Sequence, residues 1–266
     1  MIGKLLAFFL YLALAFLPAD KYYVTFVKGS VLLEKTKKPL KVGDVLNPED
    51  KLVFADKTAK VACISPGKGR FDISPQASKA GSKGELFAVL KSSLVASSGT
   101  YHLSTRSLMF EGYDPVTYFA SIETQGRILL IKDEPLSVKS SYKLDSGNFF
   151  FIQYSANGKT ITHKIGQSEK GIIFTDKLFS SEPGVLLDKV NLCYQTNANG
   201  TARSSVIAGF IPVLASKEEI TEQVKLMTEV IGSSDKKKLK AELSNHLFEN
   251  YGKIGREELN RLFGIM

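Results

Sequence analysis

From Tyr22 to Pro75, short runs of β-branched, aromatic and aliphatic residues alternate with turn residues. Tyr22–Lys28, Val31–Glu34, Leu40–Val42, Leu52–Ala55, Ala59–Ser65 and Phe71–Ser74 read as strands. Gly29-Ser30, Lys35–Lys38, Gly43-Asp44, Asn47–Asp50 and Pro66–Gly69 separate them. Strands this short and closely spaced predict a small N-terminal β barrel or sandwich over 20–75. Within Gly84–Val95, Leu86, Phe87, Leu90 and Leu94 lie near helical spacing, which predicts a short helix. Residues 96–107 are rich in Ser and Thr, so 76–107 reads as a helix and loop joining two β units.

A larger antiparallel β region is expected over 108–215. Its strand candidates are Arg127–Lys132, Asn148–Ser155, Lys159–Ile165, Gly171–Thr175, Val185–Thr196 and Ala202–Leu214. Asn157-Gly158 and Asn199-Gly200 each sit between alternating runs, the strongest short-range hairpin signal. Residues 216–266 then change to helical period. Ser216-Lys217-Glu218-Glu219 has the capping-box spacing, Ser216 to accept and Glu219 to reach back. Three apolar stripes follow: Ile220, Val224, Met227 and Ile231; Leu239, Leu243, Leu247, Phe248 and Tyr251; Leu259, Leu262 and Phe263. The fold class is therefore mainly β with a C-terminal helical tail. The stripes either pack within the chain or offer a partner or a membrane surface an apolar face made by Ile220, Val224, Met227, Leu239, Leu243, Leu247, Phe248, Leu259, Leu262 and Phe263.

The first 19 residues have one positive charge at Lys4, an apolar run from Leu5 to Leu17, and Pro18-Ala19 before polar Asp20. That is the three-part pattern of a secretory signal peptide, with cleavage expected near Ala19. A periplasmic or extracellular address follows. The run is shorter than the roughly 20 apolar residues a spanning helix needs, so cleavage is favoured over anchoring. The formal net charge is +8, with basic clusters at Lys35–Lys38 and Lys236–Lys240. Outside a membrane, anionic headgroups or acidic polymers are better matched to such clusters than nucleic acid, and much of the excess lysine belongs on solvated faces.

The pattern Val27-x-Gly29-x-Val31, Leu40-x-x-Gly43-Asp44-x-Leu46, Asp50-x-Leu52 and Ala59-x-Val61 resembles the FecR-type periplasmic β module over about residues 24–75. The resemblance implies a β fold and an envelope address. FecR proteins also carry a cytoplasmic segment that handles a sigma factor, and the four residues before the apolar run are too short for that role.

Candidate chemistry is sparse. Cys63 and Cys193 either pair as a disulfide, which an oxidising compartment permits, or remain half-buried thiols. They have no Cys-x-x-Cys spacing. His102, His163 and His246 lie far apart, without metal-ligand spacing. The sequence has no Gly-x-Ser-x-Gly elbow, and Gly81-Ser82-Lys83-Gly84 lacks the phosphate-loop spacing. Asn199-Gly200-Thr201 has the glycosylation pattern but reads first as a turn. Glu111–Phe119 resembles the opening of a YHS domain, which implies metal handling; the other reading is an aromatic turn started by Asp114-Pro115. No catalytic, metal or cofactor residue is assigned.

The function these features point to is an exported, non-enzymatic interaction or scaffold protein that binds an envelope protein or polymer. The alternatives are a secreted or periplasmic hydrolase of cell-wall or extracellular polymer, and a small-ligand or metal binder.

Overall fold

The computed structural model describes residues 20–66, 68–75, 86–89, 95–96, 112–119, 126–179, 189–232 and 236–264. Residues 1–19, where a signal peptide is expected, the glycines at 81 and 84, His102 and the Ser/Thr-rich loop lie outside the described residues. The described residues fall into two compact units: those up to Ala96, with Leu226–Gly232, and those from Gly112 to Lys225, with Lys236–Gly264.

The first unit contains β1 (Tyr22–Lys28), β2 (Val31–Leu33), β3 (Lys38–Pro39), β4 (Val45–Leu46), β5 (Lys51–Phe54), β6 (Lys60–Ser65), β7 (Gly69–Ile73), β8 (Leu86–Val89) and β9 (Val95–Ala96). They form two open antiparallel sheets, ordered β4-β1-β6-β7-β9 and β3-β2-β5-β8. Alternation sends Tyr22, Val24, Val61, Cys63 and Ile73 from the first sheet, and Val31, Leu52 and Phe54 from the second, into one core. Leu40 and Leu46 complete it. Of the barrel and the sandwich, the open two-sheet arrangement is the one present.

The helix expected over 84–95 is corrected. Leu86–Val89 is a strand, antiparallel to β5 from Leu52↔Ala88 to Phe54↔Leu86. A four-residue apolar run satisfies either period. The open backbone of β5 decides for strand.

The second unit contains β10 (Arg127–Ile131), β11 (Pro135–Leu136), β12 (Phe149–Ala156), β13 (Lys159–Lys164), β14 (Gly166–Ser168), β15 (Gly171–Ile173), β16 (Val190–Ala198) and β17 (Thr201–Ala215). Its short helices are α1 (Pro115–Phe119) and α2 (Asp176–Phe179). The long ones are α3 (Lys217–Ile231), which belongs to this unit as far as Lys225, α4 (Lys236–Asn250) and α5 (Arg256–Phe263).

The main sheet is ordered β10-β17-β16-β12-β13, and a small sheet is ordered β11-β15-β14. Both Asn-Gly pairs make the expected hairpin turns, with positive φ at Asn157, Gly158, Asn199 and Gly200. One pairing departs from the all-antiparallel expectation: β10 runs parallel to β17, Arg127↔Ile211 through Ile131↔Ala215. The outer side of β10 is covered, because Leu129 N–H donates to Lys253 O at 2.8 Å and Lys253 N–H donates to Arg127 O at 3.0 Å. The core joins Ile128, Leu130, Phe150, Ile152, Leu192 and Phe210 to Leu136, Ile172 and Phe174. Phe119 of α1 packs on Phe210 at 4.7 Å between ring centroids.

Candidate functional site

Between β3 and β4 the chain passes from the edge of one sheet to the edge of the other. Leu40 N–H still donates to Val31 O at 2.8 Å. Gly43 N–H donates to Val24 O at 2.9 Å, and Val24 N–H donates to Asp44 O at 2.9 Å. This corner leaves an open groove of about 380 Å³. Leu33, Pro39, Leu40, Val45 and Leu46 supply its apolar lining; Thr36, Lys38, Lys41 and Asp44 supply its polar lining. Leu40 and Leu46 belong to the core, whereas Val45 is 45 % exposed. The volume is within the range of ligand sites.

Two carboxylates brace the turns of this region, Asp44 within the lining and Asp50 outside it. Asp50 accepts from Lys35 Nζ at 2.7 Å and from Asn47 N–H at 2.8 Å, tying the basic turn to the 47–50 turn. Asp44 accepts from Lys41 N–H at 2.8 Å. Lys37, Lys38 and Lys41 are exposed and form no ion pair among the described residues. The groove can therefore take an apolar group at its floor and an anion at its rim. Lys35–Lys38 was the sequence signal for it. What the sequence did not show is that Pro39 and Val45, on two different sheets, line the same groove.

The second unit holds a buried polar chain. Asn250 Nδ2 donates to His246 Nδ1 at 3.1 Å, and His246 Nε2 donates to Gln223 Oε1 at 2.8 Å. Gln223 Nε2 donates to the Tyr251 hydroxyl, which donates to Glu219 Oε1 at 2.7 Å. All donors point toward the carboxylate, which assigns the proton of a neutral His246 to Nε2. Gln223 and His246 are each 1 % exposed, so the chain holds α3 on α4 and is closed to a substrate. Burial, with the Glu219 carboxylate second, raises the Tyr251 phenol pKa.

The apolar stripes of the tail are also taken up. Ile220, Met227, Leu243, Leu247, Phe248 and Leu259 are buried; Val224, Leu239, Leu262 and Phe263 are half-buried. Covering that apolar surface is what stabilises these helices. It leaves the six buried side chains no face for a partner or membrane.

Cys63 and Cys193 are buried free thiols, one in each unit. Burial, and then the Asp72 carboxylate, pushes the Cys63 thiol up to about 12. Burial raises Cys193 too. A protonated thiol is a poor nucleophile. His163 lies on β13 with its ring stacked on Tyr154 at 6.3 Å. At the YHS-like segment, Asp114 Oδ1 accepts from Val116 N–H at 3.1 Å and Tyr118 N–H donates to Asp114 O at 2.9 Å. Tyr113 and Tyr118 pack at 4.4 Å. No group of His, Cys, Asp and Glu able to hold a metal occurs among the described residues. No family model, curated protein or solved structure matches the chain.

Proposed function

We propose that this is an exported, non-enzymatic interaction protein of the periplasm or extracellular space, whose first unit binds an envelope partner through the groove between β3 and β4. The observation that carries the reading is Val45, a large apolar side chain left 45 % exposed on a sheet edge beside Pro39. Exposed apolar surface on an unpaired edge is the ordinary mark of a docking site. The signal pattern in 1–19 and the FecR-like spacing over 24–75 support the address.

A photo-crosslinking amino acid at position 45 of the full-length, tagged protein tests this in cells. Fractionation and N-terminal sequencing of the mature form go with it. The reading expects export, a mature chain starting near Asp20, and one abundant crosslinked species absent when the probe is at Val206. A cytoplasmic protein, or identical crosslinks from both positions, would overturn it.

A further inference from the structure

Given that binding role, we infer that the groove takes an acidic, extended polypeptide segment of another protein. An apolar side chain of that segment sits against Val45 and Pro39, and its carboxylates sit on Lys38 and Lys41.

Three features converge on this partner. The first is charge. Residues 20–75 carry eleven Lys and Arg against seven Asp and Glu. Lys35 is already held by Asp50, while Lys37, Lys38 and Lys41 remain without an ion pair among the described residues. Asp44, the acid of the lining, is engaged by the Lys41 backbone N–H.

The second is backbone. Val24 bonds to Asp44 and Gly43, and Tyr23 stands opposite Val45. Alternation in an antiparallel ladder makes Tyr23↔Val45 the non-bonded pair, so Val45 N–H and C=O face the side of β4 that pairs with no strand among the described residues. An extended chain can pair there. β3 cannot match this, because Pro39 has no N–H.

The third is the apolar lining by Leu33, Pro39 and Val45. A polyphosphate or acidic glycan would use the lysines and leave that lining wet. A peptide uses lysines, backbone and lining together.

The test is fluorescence anisotropy on the full chain, with a labelled short peptide alternating glutamate and valine as probe. Saturable binding is expected that weakens about tenfold or more in Lys38→Gln/Lys41→Gln, in Val45→Ser, and with added salt. Unchanged thermal unfolding shows that these surface variants fold. Equal binding by the double lysine variant overturns the proposal. So does equal binding of a glutamate–serine peptide or of inorganic polyphosphate, which would make the groove a general polyanion site. Absence of peptide binding alongside a specific position-45 crosslink overturns the acidic-peptide assignment and leaves the docking role standing. Absence of both removes the docking role as well.

Discussion

The Tyr251 hydroxyl donates to Glu219 Oε1 at 2.7 Å, so the carboxylate that its sequence spacing assigned to a capping box serves a different bond. The first arm of the box forms, Glu219 N–H to Ser216 Oγ at 3.1 Å. The second arm leaves its own helix to hold the residue that follows α4. A local helix-start signal has become a tertiary tie between α3 and α4.

Tyr251→Phe cuts the donor chain in the middle, leaving the buried Gln223 amide without its acceptor and Glu219 without its donor. The cost of an unpaired buried group sets the loss at about 1–3 kcal/mol. Urea unfolding at neutral pH measures it. An unchanged midpoint would mean that the tie contributes nothing.

Five tyrosines have phenol pKa values raised chiefly by burial: Tyr113, Tyr118, Tyr142, Tyr194 and Tyr251. An unfolded tyrosine ionises near about pH 10. Above that pH the unfolded chain releases protons that the folded chain keeps, so stability falls as pH rises. It is fully present below about pH 10. Phenolate absorbance during an alkaline titration should show these groups ionising together with loss of structure, after the exposed tyrosines.

Glu134 joins Lys217 of α3 to Arg261 of α5, at 2.9 and 3.5 Å. Lys217, ahead of Arg261, holds its carboxyl pKa below the usual value. That contribution is present above the ordinary carboxylate range and is lost as pH falls through the depressed pKa. Glu134→Gln should lower stability by under about 1 kcal/mol at pH 7, as for other solvent-screened pairs. The gap to wild type should close in acid.

A Cβ at Gly255 would stand 1.7 Å from the Tyr113 hydroxyl and 2.1 Å from Cζ. The Gly255 φ of −71° is open to any residue, so the glycine is required for space alone. Gly255→Ala should cost about 1–3 kcal/mol as overpacking. Adding Tyr113→Ala should cost less than the two single changes summed, which a double-mutant cycle reads directly.

With burial raising both thiols, neither Cys63 nor Cys193 should react with a thiol reagent in the native protein, and both should react after unfolding. Rapid native labelling of one site would show that its strand opens locally.

The strands of the second unit were legible because alternation and two Asn-Gly turns act locally: Phe149–Ala156 and Lys159–Lys164 pair as the pattern implies. Leu86–Val89 was misread because a short apolar run takes the structure its partner imposes. The stripe of α4 was legible, but what covers it was not, since amphipathic period says only that something must. Gln223 and His246 lie 23 residues apart on separate helices, a relationship that no local pattern carries. The groove was half visible: Lys35–Lys38 declared its charge, while the meeting of Pro39 and Val45 depends on which sheet edges end side by side.

The parallel pairing of β10 with β17 also sets a clock. Every rung joins residues 84 apart in the chain, Arg127 with Ile211 and Ile131 with Ala215. At synthesis rates of roughly 5–20 residues per second, β10 emerges roughly 4–17 seconds before its partner. Ile128, Leu129, Leu130 and Ile131, all buried at the end, spend that interval bare. The two sheets of the first unit can close while β10 waits, so the stretch around β10 is where a chaperone has the most to hold.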